Sequence, residues 1–181
     1  FPDVGYDEMR EKALEFIRAD PGRVVTLAVS RAGHFFSLER RALTYFYSND
    51  FFGYVPAPIL LTLAALVLLP FVLVSTCAAF GLALARWTKT TLILPLVMAG
   101  YIAPHLPVLA EDRFHLTLVP LLAILAALGW SGGRQALAAR WHSSRAGKVA
   151  LSLAAVAVFL LLANWTLELL RDADKLALLF G

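Results

Sequence analysis

The residues best suited to chemistry fall in one short stretch, PHLPVLAEDRFHLTLVP, between two long apolar runs. Arg113 could grip a phosphate through charge-assisted, often bidentate hydrogen bonds. Glu111 or Asp112 could orient a hydroxyl or act as a base. His105 and His115 could add donors or ligate a metal, although two His and two carboxylates here match no metal motif of defined spacing. A bland alternative stands beside these: Asp112 caps the following helix and Glu111 pairs with Arg113. No paired-carboxylate spacing, glycine-rich phosphate loop or Ser/His/Asp pattern occurs elsewhere. The lone Cys77, in mid-run, excludes a disulfide framework and a Cys metal site.

The elements that must position this stretch are hydrophobic. Residues 55–85, 90–110, 114–133 and 149–167 contain no Asp, Glu, Lys or Arg, and each run reaches or approaches the roughly 20 apolar residues that a lipid-spanning helix requires. A hydrophobic fraction of 60% and a mean hydropathy of +0.72 exceed what a soluble domain carries, roughly 45–50% apolar. The expected fold is therefore all-α: a polytopic membrane protein with spans at about 56–85, 91–109, 114–130 and 149–165. The first span exceeds the hydrocarbon thickness, so it must tilt, kink near Pro70 or project. The second, interrupted by Pro95, Pro104 and Pro107, needs neighbours to satisfy the carbonyls its prolines free. The net charge of +3 and pI of 9.2 reflect loop Lys and Arg. They do not indicate nucleic-acid binding, which would concentrate basic residues on one solvated face.

Residues 1–54 form a juxtamembrane region ahead of the transmembrane part, 55–181. Tyr6, Met9, Ala13, Phe16 and Ile17 recur at helical spacing, predicting a helix from Tyr6 to Ala19. Asp20-Pro21-Gly22 ends it and opens a second, with Asp20 as cap and Pro21 at its first position. That second, basic helix has an apolar stripe (Val25, Ala28, Val29, Ala32, Phe35, Phe36) suited to the interface plane or to a soluble two-helix cap packed on protein. Tyr45, Tyr47, Phe51, Phe52 and Tyr54, with Trp130 and Trp165, fit headgroup-level aromatic belts, the first cluster also a sugar platform.

Four spans put Arg86, Lys89, Arg134, Arg140, Arg145 and Lys148 on one side without any acidic residue, which assigns that side to the cytoplasm. Residues 1–54 oppose this with seven Lys and Arg. They are discounted because the segment is long and is expected to follow earlier spans that fix the topology. Glu111 and the N-terminal segment are then extracytoplasmic. The chain opens at Phe1 without a signal peptide, and is expected to be the C-terminal part of a longer protein.

The order of these features resembles the C-terminal part of bacterial GT-C superfamily membrane glycosyltransferases, of the protein-mannosyltransferase and aminoarabinose-transferase type. The stretch YDEMREKALEFIRADPGRVVTLAVSRAGHFFSLER is similar to the juxtamembrane pattern ALxFIRxxPxR…LxxxRxxxFxSxER of such tails. The hydrophobic run after the aromatic segment follows in the same order. AEDRFHLTLVPLLAILAALG is similar to a late span that opens E-x-R-[FY]-[HR]-x-P-x-x-P; Glu111, Arg113, Phe114, His115 and Pro120 match, and Thr117 replaces the first proline. The third motif recurs across many related families, so it marks the superfamily better than a substrate.

The resemblance implies transfer of a sugar from a polyprenyl-phosphate carrier to an extracytoplasmic acceptor, at a bacterial inner membrane. It places the catalytic acid in an early loop of the missing N-terminal transmembrane part, so no residue of this segment is catalytic. Arg113 is then expected to contact the donor phosphate and Glu111 to position it, with His105 and His115 as further polar contacts. Any cofactor is unknown: a divalent metal is compatible with the chemistry, but this segment does not indicate one. Two other readings stay open, a non-catalytic four-helix scaffold or a part of a lipid-linked saccharide flippase or polymerase. The near absence of charge within the spans speaks against the latter.

Overall fold

The computed structural model describes residues 5–38, 55–107 and 111–171, and every regular element among them is helical. They are α1 (Tyr6–Ala19), α2 (Pro21–Phe35), α3 (Ala57–Leu84), α4 (Lys89–His105), a 3-10 turn (Asp112–Leu118), α5 (Val119–Ser143) and α6 (Arg145–Arg171). Three stretches are long and apolar enough to cross a membrane: Ala57–Leu84, Arg113–Ser143 and Arg145–Arg171. Large apolar side chains such as Leu66, Leu73, Leu153 and Phe159 point outward along them. That arrangement is costly in water and natural in lipid, so a bilayer is the expected surroundings.

Helix ends follow from local chemistry. Asp20 caps α2 as expected, its Oδ1 accepting from the Arg23 N–H at 2.9 Å, with Pro21 in the first turn. Thr88 and Thr91 form a reciprocal box at the start of α4: Thr88 Oγ1 accepts from Thr91 N at 3.2 Å, and Thr91 Oγ1 from Thr88 N at 2.7 Å. The third apolar run departs from the expected helix at both ends. Phe114–Leu118 is 3-10 rather than α, and the α-helix continues beyond Trp130. It breaks at Gly133, whose φ of 55° and ψ of −167° suit only glycine. The fourth run is helical from Arg145, four residues before its expected start, because Ser144 caps it by accepting from the Gly147 N–H at 3.1 Å.

Helices α3 and α5 pack side by side and run parallel. Phe71 stacks on His115, Gly81 lies against Leu125 and Gly129, and Leu84 touches Gly132, so positions advance together along both helices. The seam is built from small residues. A Cβ on Gly81 would collide with the Leu125 carbonyl and one on Gly129 with the Cys77 carbonyl, so the two backbones touch. In lipid, where the hydrophobic effect does not draw helices together, such close van der Waals approach is what holds a pair. Leu122, Leu125 and Ala126 of α5 bury against Ala78 of α3. Helix α6 returns antiparallel, with Leu151 and Ala154 against Ala83 and Trp165 near Phe71.

Leu94 and Met98 of helix α4 reach the shared core, and Tyr101 Oη and Thr117 Oγ1 share a hydrogen bond at 3.1 Å. At 17 residues it is about 25 Å long. Helix α3 runs unbroken through Pro70 and is far longer, roughly 42 Å. Its residues before Phe71 extend about 20 Å past the level of His115.

Candidate functional site

The 3-10 turn sets the geometry of the sequence-predicted residues. Arg113 Nε lies 2.7 Å from Glu111 Oε2, with the Arg113 side chain 63% exposed and that of Glu111 23%. The guanidinium also sits over the edge of the Phe114 ring, 6.0 Å from its centroid. The ion pair of the bland alternative is therefore formed. Asp112 opens the turn, but its side chain lies outside the described structure.

The two histidines point elsewhere. His115 is buried, 1% exposed, stacked on Phe71 with centroids 4.0 Å apart. Its Nδ1 is 3.1 Å from the Phe35 carbonyl oxygen. A carbonyl can only accept, so Nδ1 carries a proton. His105 donates from Nδ1 to the Tyr101 carbonyl at 2.7 Å and lies among the rings of Phe35, Tyr101 and Phe114. Thus Glu111 and Arg113 form an ion pair, while His105 packs against the Phe35 ring and His115 holds the Phe35 carbonyl. The four share one end of the bundle without converging on one point.

What His115 does becomes clear from the end of α2. A helix leaves its last carbonyls without intrahelical partners, and in an apolar interior each must find one. Phe35, fully buried, inserts this terminus among α3, α6 and the 3-10 turn. The exposed backbone groups are met one by one. Asn164 Nδ2 donates to the Gly33 carbonyl at 3.1 Å, His115 to that of Phe35, and Trp165 Nε1 to that of Phe36 at 2.7 Å. Glu168 Oε2 accepts from the Leu38 N–H at 3.1 Å, and its Oε1 from Asn164 at 2.9 Å. On the outer side Arg31 Nη1 donates to the Pro107 and Leu106 carbonyls, closing α2 onto the end of α4. The polar residues of α6 thus cap another helix.

Asn164, Glu168 and Arg31 were not read as site residues from the sequence. Their signal was present: Asn164 and Glu168 are four apart, on one face of an otherwise apolar helix, with Trp165 beside them. Trp165, expected in a headgroup belt, is 3% exposed and faces protein, because its indole N–H is committed to Phe36. Trp130 is 76% exposed on the outer surface. Tyr45, Tyr47, Phe51, Phe52 and Tyr54 lie outside the described residues. No three His, Cys, Asp or Glu side chains among the described residues come together as a metal set. No protein-family model matches the chain, nor does any curated protein or solved structure.

Proposed function

We propose that this chain is the C-terminal membrane segment of a glycosyltransferase that takes a sugar from a polyprenyl-phosphate carrier, with Arg113 contacting the phosphate. One observation carries the reading: Arg113 is largely exposed at the bundle end, steered by Glu111 and standing on a turn whose next residues are fixed from below by His115. An anionic headgroup arriving at the membrane surface would meet a cation already oriented. The motif resemblance at Glu111, Arg113, Phe114 and His115 supplies the sugar-transfer chemistry, and the catalytic acid belongs to another part of the protein.

A four-crossing topology goes with this reading. If α3 and α5 both span and run parallel, the chain between them must return across the bilayer, and α4 is the element that does so. Its 17 residues are short for a span, but they form an apolar helix that begins after the end of α3 and ends near the 3-10 turn that opens α5. Glu111 and the α1–α2 pair then share the extracytoplasmic side, opposite the six unopposed cations. On that side α1 and α2 would lie at the membrane surface, held there by the buried end of α2.

The test is donor turnover by the full-length protein. A charge-assisted hydrogen bond contributes roughly 1.5–3 kcal/mol, so Arg113→Ala should lower turnover about tenfold to a hundredfold. Arg113→Lys should recover part of it. The scaffold reading has its own support, since the Glu111–Arg113 pair and the capping of α2 are complete within the chain. Turnover unchanged in Arg113→Ala would favour the scaffold.

A further inference from the structure

The opposite end of the bundle holds a groove of about 440 Å³ between the end of α3 and the second half of α5. Its volume falls within the range of small-molecule sites, roughly 300–1,000 Å³. Leu84 and Leu128 form its apolar side, and Arg86, Arg140, Ser131 and Ser143 its polar side. The groove exists because the chain breaks at Gly133, which turns Arg134–Ser143 away from the line of the preceding helix. Both serines already donate to backbone carbonyls, Ser131 to Leu128 at 3.3 Å and Ser143 to Arg140 at 2.9 Å. The donors left for a ligand are therefore guanidinium groups.

Arg140 is the telling residue. Its Nε is buried and has no hydrogen-bond partner among the described residues. No described carboxylate pairs with Arg140 or Arg86, and the adjoining loops add Lys89, Arg134, Arg145 and Lys148 without an acidic residue. A guanidinium N–H withdrawn from water needs an acceptor. Polar donors above an apolar wall on membrane-crossing helices match a phosphate carried by an acyl chain.

We infer that this groove binds the phosphate of an anionic phospholipid, with Arg86 and Arg140 on the headgroup and Leu84 and Leu128 along the first acyl carbons. The site lies at the far end from Arg113 and does not depend on the glycosyltransferase reading, only on the helices being in a membrane.

Native mass spectrometry of the detergent-solubilised chain tests it, with phosphatidylglycerol and phosphatidylcholine as paired probes. Phosphatidylglycerol should be retained about tenfold more strongly, and Arg86→Gln/Arg140→Gln should abolish that preference, since each cation near an anionic surface contributes several-fold. Arg113→Ala should leave it intact. The single Arg140→Gln variant, which keeps the methylene stem, should lose about half of the effect on a logarithmic scale and remain folded by circular dichroism. Equal retention of the two lipids would overturn the inference, as would a preference that survives in the folded variants. Competition by free glycerol phosphate as effective as by the lipid would also overturn it, by showing a site for soluble anions.

Discussion

The α3–α5 seam makes the sharpest prediction, because two glycines in it and one outside it should behave in opposite ways. Replacing Gly129 by Ala would place a methyl against the Cys77 carbonyl, and replacing Gly81 would place one on the Leu125 carbonyl, both far inside the 3.4 Å at which ordinary contact begins. Backbone cannot rotate away as a side chain can, so the helices must separate by about an ångström. Along the seam Ala78, Leu122, Leu125 and Ala126 pack together; each atom pair in contact contributes about 0.1–0.2 kcal/mol, and a gap of 0.5–1 Å loses a quarter to a half of that. The expected destabilisation is thus about 1.5–3 kcal/mol for either substitution. The double variant should be sub-additive, since one separation relieves both clashes. Gly100, on α4, has open space where a Cβ would go, and Gly100→Ala should be neutral or stabilising by up to about 1 kcal/mol. The assay is thermal unfolding in detergent, read beside the maleimide labelling rate of Cys77, the single cysteine, which lies in this seam. Faster labelling and a lower midpoint are expected for Gly81→Ala and Gly129→Ala alone. If both match the wild type, or if Gly100→Ala is the most damaging, the close-packed seam is refuted.

Two further predictions concern the ends of the bundle. Glu168→Leu should leave the Leu38 N–H and one Asn164 donor buried and unmet, at about 1–3 kcal/mol each, while Glu168→Gln should retain an acceptor and cost less. Limited trypsinolysis at Arg18 and Arg23 would report α1–α2 coming loose, and equal cleavage of both variants would count against the capping role. Gly133→Ala must force a side chain to a positive φ, at about 1–2 kcal/mol, and Gly133→Asn should cost less; equal melting of all three would show that the break is not needed.

The apolar runs were legible because lipid demands length and uniformity, and 28 residues without a charge in α3 admit few other interpretations. Asp20-Pro21 was legible for a similar reason, as a cap whose chemistry is local. The 3-10 turn and the break at Gly133 were not: the turn is fitted to Phe35 and Phe71 from elsewhere in the chain, and a Gly-Gly pair inside an apolar run does not say which residue takes a positive φ. Of the predicted site, the Glu111–Arg113 pair lies two residues apart and could be anticipated from spacing alone. The role of His115 could not, because its partner is a backbone carbonyl 80 residues away, invisible to any pattern of side-chain types. Glu168 stands near a helix end, where a carboxylate is ordinary in sequence, yet the end of α2 packs there and Glu168 is only 6% exposed.

The unequal lengths of the helices bear on the membrane itself. Helix α3 is about 42 Å long and α4 about 25 Å, so if both cross, as proposed above, a flat bilayer with a hydrocarbon core of about 30 Å matches neither. The mismatch lies on one molecule, so it cannot be relieved by choosing a thicker or a thinner membrane. Lipid beside α4 has to compress, while the upper half of α3 has to lean or be sheathed. On the four-crossing reading the protein would impose a step in bilayer thickness around its own circumference. Under the proposed function, a carrier lipid reaching Glu111 and Arg113 beside α4 would find its phosphate lowered toward them by the thinned leaflet.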